Sequence, residues 1–311
     1  MPKIALGTWA WGSGAAGGDQ VFGNYFDESD LEPVFKAALS RGLNLWDTAA
    51  VYGMGASEQI LGNLSKNENR SALLISTKFT PQIAEKTSEA AKQMLSGSLE
   101  RLQTSYVDIY WIHNPANVDK WTPQLISLVE SGKVKYIGVS NHNLAEIQQA
   151  QAILNKHNLK ISAVQNHLSL LNRSSETSGI IDYCKENDIT FFSYMVLEQG
   201  ALSGKYTTKT PFPEHSERAK IYNDNLESLE ELISTIQGVA SVHDATVSEI
   251  AAAWAISKGT VPIIGVTKVN HVDDAFKASQ ISLTENEIRT LENAADNSGI
   301  IIVREWEKEM N

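Results

Sequence analysis

The feature that most constrains the fold is an eightfold alternation of short apolar runs with amphipathic helical patterns. Several of the runs are almost continuously apolar, as in residues 107–112, which is typical of strands buried on both faces of a parallel sheet. The candidate strands span residues 3–8, 43–48, 72–79, 107–113, 136–141, 163–167, 190–194 and 261–266.

Eight strands alternating with helices predict either a closed barrel or a doubly wound open sheet. A G-x-G-x-x-G string occurs at residues 12–17, but it begins four residues after the first run ends rather than directly at its end, so it gives the dinucleotide-binding form of the open sheet only weak support. We therefore predict an α/β fold, a (β/α)8 TIM barrel that forms one domain over residues 1–311. A long loop over residues 197–226 is expected after the seventh strand, and a capping box at Thr284 and Glu287 predicts an extra C-terminal helix.

Helix punctuation supports this alternation. Ser29 or Asp30 is expected to cap the helix that precedes the second strand, and Gly42 to end it. Further helices are expected near residues 88–102, 145–154, 180–185 and 248–255.

Composition excludes several classes of protein. A net charge of -11 argues against a nucleic-acid partner, because phosphate binding needs clustered Lys and Arg. No apolar run approaches the roughly 18 residues of a membrane span, and the N-terminus lacks the pattern of a signal peptide. One cysteine, Cys184, excludes an intramolecular disulfide and CxxC motifs. These observations favour a cytoplasmic protein.

Polar side chains end the apolar runs at the positions where a barrel carries its active site. In such barrels the catalytic groups lie at the carboxyl ends of the strands, so we expect these side chains to face one cavity. They are Asp47, Thr48 and, in the next loop, Tyr52; then Thr77, Lys78, His113, Asn114, Ser140, Asn141, Gln165, Asn166 and Tyr194.

Four of them form a set with one chemistry. A buried Lys78 ammonium needs a counter-ion, and Asp47 is placed to supply it. The positive charge would lower the pKa of Tyr52 from about 10, so that the phenol could exchange a proton near neutral pH. His113 would donate a hydrogen bond to a carbonyl oxygen. The set predicts protonation of a carbonyl while a hydride arrives from elsewhere.

Ordered motifs along the chain resemble those of the aldo-keto reductases. They are Asp47-Thr48-Ala49-x-x-Tyr52-Gly53, Ser57-Glu58-x-x-Leu61-Gly62, Ile75-Ser76-Thr77-Lys78, Ile112-His113, Gly138-Val139-Ser140-Asn141 and Val164-Gln165-Asn166. The resemblance implies NAD(P)H-dependent reduction of an aldehyde or ketone to an alcohol by direct hydride transfer. Tyr52 would be the general acid, Asp47 and Lys78 would tune it, and His113 would orient the substrate.

The same resemblance implies a cofactor site that extends across the barrel mouth. Thr8, Trp9 and Asp47 would lie near the nicotinamide, Ser140, Asn141 and Gln165 would bind its carboxamide, and Tyr194 would stack on its ring. The segment with Leu197, Gly200, Leu202 and Lys205 would close over the pyrophosphate, and Gly265, Thr267, Lys268 and His271 would hold the adenosine end. NADP(H) is the expected cofactor, with NAD(H) or dual use open, because only Lys268 and His271 are placed to bind a 2′-phosphate.

A small carbonyl compound is the expected substrate, and its identity and the oligomeric state stay open. Trp11, Tyr52, His113 and Asn114 are expected to contact it, with Trp9, Tyr25 and the glycine-rich segment 12–24 at the rim. Trp111 is expected in the core, packed against a helix, rather than at the mouth.

Two other functions fit parts of the pattern. The same fold serves as a slow-turnover, nucleotide-binding regulatory subunit of potassium channels. A barrel metal-hydrolase could use Asp47, His113, His142 and His167, but strand alternation would point the two later histidines away from the cofactor-facing residues, so no metal is expected.

Overall fold

The computed structural model describes residues 2–302, 304, 307 and 310, and its centre is a closed barrel of eight parallel strands in sequential order. The strands are β1 Ala5–Gly7, β2 Leu45–Asp47, β3 Leu74–Phe79, β4 Val107–Ile112, β5 Val134–Ser140, β6 Ile161–His167, β7 Thr190–Tyr194 and β8 Val261–Gly265. The barrel closes where β1 pairs with β8, with Gly7 opposite Gly265. The predicted (β/α)8 barrel and all eight predicted strands are confirmed.

Helices follow the strands and surround the barrel. The longer ones are α1 Glu28–Ser40, α2 Ala56–Ser65, α3 Ala90–Arg101, α4 Leu144–Asn155, α5 Ile180–Glu186, α6 Leu226–Val242, α7 Val247–Ser257, α8 Val269–Ala278 and α9 Glu285–Asn297. Shorter helices and 3-10 turns span Gly18–Phe22, Tyr52–Gly55, Arg70–Ala72, Pro81–Ile83, Val118–Trp121, Thr122–Leu125, Ile126–Glu130, Ser174–Thr177, Glu198–Ser203, Glu217–Tyr222 and Asn223–Asn225. None of the helices among the described residues combines the length and apolarity needed to cross a membrane.

The helix caps correct one prediction and confirm another. The cap of α1 is Asp27, whose side chain accepts from the backbone N–H of Ser29 and Asp30, so neither Ser29 nor Asp30 is the cap itself. Asp30 instead closes a capping box by accepting from the Asp27 backbone. At α9 the predicted capping box between Thr284 and Glu287 is present.

The interior of the barrel holds its own apolar cluster, separate from the larger core between strands and helices. Trp111 lies at its centre, fully buried, with its ring edge-on to Phe192. Gly138 on the neighbouring strand makes room for it, since a Cβ there would lie 2.2 Å from the Trp111 ring. Trp111 is therefore core, as expected, but it fills the barrel rather than packing against a helix.

The long connection after β7 is not a bare loop. It contains the turn Glu198–Ser203 and the short helix Glu217–Tyr222 before α6 begins at Leu226. The glycines and prolines of this segment interrupt any helical periodicity, so these short elements could not be predicted from the sequence. The connection folds back over the carboxyl end of the barrel, where Gln199, Lys205 and Arg218 line a large cavity.

Candidate active site

Two adjacent strands carry the ion pair at the centre of the site. Asp47 ends β2 and Lys78 lies near the end of β3. The Lys78 ammonium lies 2.5 Å from Asp47 Oδ2, 2.8 Å from the Thr48 carbonyl oxygen and 3.3 Å from the Tyr52 hydroxyl. Lys78 is fully buried, so these three oxygens replace its hydration shell.

The protonation states follow from burial and from the ion pair. Burial opposes the charge of Lys78, but the Asp47 carboxylate outweighs it and raises the pKa of the lysine. Burial also raises the pKa of Tyr52, despite the opposing effect of Lys78. The pKa of Tyr52 is therefore raised rather than lowered as expected, because burial outweighs the effect of Lys78, which Asp47 also offsets in part. Tyr52 is a phenol, and Lys78 an ammonium, at neutral pH.

His113 follows β4 and faces Tyr52, with its imidazole edge-on to the phenol ring at a centroid distance of 6.0 Å. Burial and the nearby Lys78 charge lower the pKa of His113 to about 3, so the ring is neutral. Its Nδ1 lies 2.9 Å from the Thr80 hydroxyl. If that hydroxyl donates, the proton of the imidazole is on Nε2 and is available to a ligand.

A second buried network fixes the turn that carries Tyr52. The turn Tyr52–Gly55 contains left-handed residues, and a Cβ on Gly55 would lie 2.6 Å from Arg101 Nε. Arg101 is held there by Glu58, whose other oxygen accepts from the Thr77 hydroxyl at 2.5 Å. Glu58 is fully buried. Gly55 thus permits a close approach of Arg101 that a side chain would block.

Asp47, Tyr52 and His113 line a cavity of about 1190 Å³ at the carboxyl ends of the strands. Its lining includes fourteen predicted cofactor residues: Thr8, Trp9, Asp47, Ser140, Asn141, Gln165, Tyr194, Leu197, Gly200, Lys205, Gly265, Thr267, Lys268 and His271. The predicted substrate residues Tyr52, His113 and Asn114 also line it. The structure therefore brings together nearly all of the residues that the sequence assigned to one site.

Seven residues that were expected to face the cavity or its rim lie outside its lining: Thr48, Thr77, Lys78 and Asn166, which are all fully buried, and Trp11, Leu202 and Tyr25. Trp11 is fully buried beside Trp46, donates its indole N–H to the Val266 carbonyl oxygen at 2.7 Å, and does not line the cavity. Leu202 is also fully buried, with its side chain in the core beneath the connection. Tyr25 is 71% exposed and lies outside the cavity lining. For a large apolar side chain in a loop next to a site, the sequence does not show whether it points into the cavity, into the core or into solvent.

A group of amides lies deep in the cavity. Asn141 donates to the His113 carbonyl oxygen at 2.9 Å and accepts from the Tyr194 hydroxyl at 2.5 Å, so its amide is engaged within the protein. Gln165 donates to Asp47 at 3.1 Å, and among the described residues nothing donates to its Oε1. The Ser140 hydroxyl accepts from Asn141 at 3.3 Å and still has its own proton to donate. A carboxamide could therefore donate to Gln165 and accept from Ser140.

The cavity also has a cationic side that the sequence interpretation described only in part. Lys205 and Lys268 were expected, but Arg218 was missed. Arg218 donates to the Gln199 carbonyl oxygen and the Tyr206 hydroxyl at 3.3 Å, and to the Phe22 carbonyl oxygen at 3.4 Å. It joins the connection after β7 to the glycine-rich segment after β1. The only sequence signal was an arginine in a long polar connection.

The adenosine-side residues give a mixed set of charges. His271 accepts from the Thr267 backbone N–H at 3.2 Å, and burial together with Lys268 and Lys205 lowers its pKa. His271 is therefore neutral and accepts at Nδ1, so it would add no positive charge to a phosphate site. Asp274 also lines the cavity and was not predicted. Burial and nearby carboxylates raise its pKa.

The mouth above Tyr52 is lined by aromatic and amide groups. The Trp9 ring stacks on Tyr52 at 5.6 Å and meets Phe22 edge-on at 5.3 Å. Gln82 and Asn114 form a reciprocal amide pair with bonds of 2.9 and 2.7 Å. Phe22 and Gln82 both line the cavity, so the glycine-rich segment does contribute to the rim.

The two histidines of the rival metal site point elsewhere. His142 Nδ1 lies 2.7 Å from the Ser140 carbonyl oxygen, and His167 lies between Glu198 and Glu307. Neither lines the cavity that holds Asp47 and His113. Across the described part of the chain, no group of three or more His, Cys, Asp or Glu side chains is arranged to hold a metal ion. The structure gives the metal-hydrolase interpretation no support.

Comparisons with known proteins agree with this geometry. A model of the aldo/keto reductase family matches residues 3–296. An aldo-keto reductase of Gibberella moniliformis is 32% identical over 299 residues, covering 92% of this chain and 90% of the relative. The Schizosaccharomyces pombe aldo-keto reductase yakc, whose name specifies NADP(+), is 28% identical over 314 residues, covering 95% and 91%.

Among solved structures, a thermostable aldo-keto reductase in complex with the inhibitor epalrestat is similar with a TM-score of 0.74 and 26% sequence identity. The match covers 94% of this chain and 95% of that chain. These sequence and structure matches cover almost the whole length of this chain and of each protein compared with it. The chain therefore belongs to the aldo/keto reductase family of oxidoreductases.

Proposed function

We propose that this oxidoreductase reduces an aldehyde or ketone to an alcohol, with Tyr52 as the general acid. The observation that carries the proposal is a protonated, half-buried phenol 3.3 Å from a fully buried ammonium, beside a neutral imidazole at the wall of a cavity of about 1190 Å³. Such a phenol can protonate a carbonyl oxygen, and the residues around it favour the negative charge that develops there.

In the proposed reaction a bound reduced nicotinamide supplies the hydride to the carbonyl carbon. His113 orients the substrate by donating from Nε2 to the carbonyl oxygen, and Tyr52 transfers its proton to that oxygen. Lys78 then stabilises the Tyr52 phenolate across 3.3 Å until the phenol is protonated again. Asp47 keeps Lys78 charged and in place, because it raises the pKa of the lysine.

The residues present fit a nicotinamide dinucleotide. Ser140 and Gln165 offer one donor and one acceptor to the carboxamide, and the Tyr194 ring lines the cavity beside them. Lys205 and Arg218 would bind the pyrophosphate. We favour NADP(H) because Lys268 can pair with a 2′-phosphate, with NAD(H) or dual use as the alternative outcome of the test.

We further propose that residues 1–311 form one domain, because β8 pairs with β1 and so joins the first and the last strand of the barrel. A cytoplasmic location remains a prediction from the single cysteine.

The test is a panel of aldehydes and ketones, assayed separately with NADPH and with NADH, for the wild-type chain and Tyr52→Phe. Loss of the proton donor should lower kcat by about 100-fold or more, while the Kd for the dinucleotide stays within about twofold. Tyr136→Phe, at an exposed strand position, is the matched control. Unchanged turnover in Tyr52→Phe would exclude the proton-donor role. Tight dinucleotide binding with half-times of many seconds for every carbonyl would favour the regulatory-subunit alternative.

A further inference from the structure

Four charged side chains are buried together at the carboxyl ends of β6 and β7, outside the cavity lining. His167 lies 2.6 Å from Glu198 and 2.6 Å from Glu307, and Arg304 lies 3.0 Å from Glu198. All four are 3% exposed or less, and their charges balance. A buried ion network is weak support for stability, because well-packed apolar residues can often replace it at no loss. The network also joins the C-terminal tail to two parts of the cavity wall.

Two of its members come from the C-terminal tail, defined as residues 302–310. The described tail residues are Ile302, Arg304, Glu307 and Met310. Asn172 donates to the Ile302 carbonyl oxygen at 3.0 Å, and Asn166 lies 3.7 Å from the Met310 sulfur. The tail thus returns to the end of β6, about 140 residues back along the chain.

Glu307 connects the network to the expected nicotinamide-binding site. Its Oε1 accepts from His167 at 2.6 Å and lies 3.1 Å from the Tyr194 hydroxyl. The same hydroxyl reaches Asn141 Oδ1 at 2.5 Å. The His167 ring stacks on Tyr194 at 5.5 Å, so one ring face is covered while Tyr194 also lines the cavity. Burial opposes a charge on His167, but Glu198 and Glu307 outweigh it and raise its pKa to about 9.

Glu198 and Arg304 connect the network to the other side of the cofactor cavity. Glu198 begins the turn Glu198–Ser203 with φ of +47°, and Gln199 follows with φ of +52°. Non-glycine residues in this left-handed region are held there by their surroundings. Arg304 donates to both side chains, at 3.0 and 3.3 Å. Gln199 lines the cavity, so the tail holds the strained turn that borders it.

We propose that Glu307 and Arg304 are positioning residues for dinucleotide binding, holding the Tyr194 ring and the Glu198–Ser203 turn in the geometry that receives the cofactor. This inference rests on the proposed function, since it concerns the same cavity. Neither residue lines the cavity, so each acts through a neighbour. Removing the tail contact should therefore weaken binding of the dinucleotide without removing any group that touches it.

The experiment measures the Kd for NADPH by fluorescence titration of the purified full chain, without substrate. The variants are Glu307→Leu, Glu307→Gln, Tyr194→Phe and the double variant Glu307→Leu/Tyr194→Phe. We expect Glu307→Leu to raise the Kd about 10-fold, as the loss of a hydrogen bond to a charged group would. Glu307→Gln keeps an acceptor oxygen and should recover most of the affinity. Glu231→Gln, on the exposed face of α6, is the control.

The double variant distinguishes positioning from general destabilisation. If Glu307 acts through the Tyr194 hydroxyl, the double variant binds NADPH no more weakly than Glu307→Leu alone. Fold-changes that multiply would overturn the proposal, as would wild-type affinity in a folded Glu307→Leu. If Glu307→Leu does not fold, equal Kd values for wild type, Glu307→Gln and Tyr194→Phe would overturn it. A wild-type chain that binds neither NADPH nor NADH would overturn the proposed function itself, and this inference with it.

Discussion

The Asp47–Lys78 pair gives the sharpest quantitative prediction. At an effective dielectric constant of about 20, unit charges at the observed 2.5 Å attract by about 7 kcal/mol. Desolvation of both groups offsets much of this attraction, so the pair has a small net effect, whereas either partner alone would be an uncompensated buried charge. We therefore expect Asp47→Asn and Lys78→Met each to lower the free energy of unfolding by about 3–5 kcal/mol.

The double variant Asp47→Asn/Lys78→Met leaves no buried charge at this position. Its unfolding free energy should lie within about 2 kcal/mol of the wild-type value, which implies a coupling energy of several kcal/mol. The exposed pair between Lys36 and Glu32, at a similar 2.6 Å, is the control, and its removal should cost less than about 1 kcal/mol.

Urea unfolding followed by circular dichroism and by tryptophan fluorescence measures these differences, provided that the two transitions coincide. A double variant that loses as much stability as the two single variants combined would refute the reasoning, since it would mean that the side chains contribute independently. The double variant should nevertheless be inactive, because Tyr52 would lack the ammonium that stabilises its phenolate. Stability and activity would thus separate in one molecule.

Two further predictions concern the pH profile and the cofactor. Because burial raises the pKa of Tyr52 above its ordinary 10.0, carbonyl reduction should be nearly independent of pH between about 6 and 9, while oxidation of the product alcohol, which needs the phenolate, should rise steadily toward pH 10. The pKa of His113 near 3 adds no titration in this range, and a fall in reduction centred near pH 7 would contradict the assignment. Arg218→Met should raise the Kd for NADPH by about 10- to 100-fold and reduce its dependence on salt, as the loss of a charge-assisted phosphate contact would. Arg289→Met, on the exposed side of α9, is the control, and equal Kd values for the two variants in a salt titration would exclude Arg218 from the phosphate site.

The barrel could be predicted from the sequence because strand periodicity is a local property. Every one of the eight strands was found within a few residues of its bounds, and the strand ends gave Asp47, Lys78 and His113 together with several residues of the cavity lining. In the structure Asp47 pairs with Gly7 on one side and with Ser76 on the other, which places its carboxylate at the barrel mouth. These features depend on residues that are adjacent in the chain or in neighbouring strands.

Features that depend on distant segments were not predictable in this way. Arg218 comes from a connection without helical or strand periodicity, and its bond to Phe22 spans 196 residues. The contact between His167 and Glu307 spans 140 residues. Trp11 was predicted to contact the substrate because it lies in a loop near the site. Its indole N–H instead donates to the Val266 carbonyl oxygen beneath the cavity. No local pattern encodes such partners.

The sign of the Tyr52 pKa shift shows why a correct residue list does not determine the chemistry. A lysine beside a tyrosine lowers the pKa of the phenol only if the field of the lysine is not cancelled, and here Asp47 lies closer to Lys78 than Tyr52 does, at 2.5 Å against 3.3 Å. Burial then decides the sign. The resting site keeps the proton on the phenol, and the ammonium stabilises the phenolate only once the proton has moved to a substrate. Burial favours the protonated phenol, and the Lys78 charge offsets part of the cost of the phenolate that forms as the proton moves, which lowers the reaction barrier.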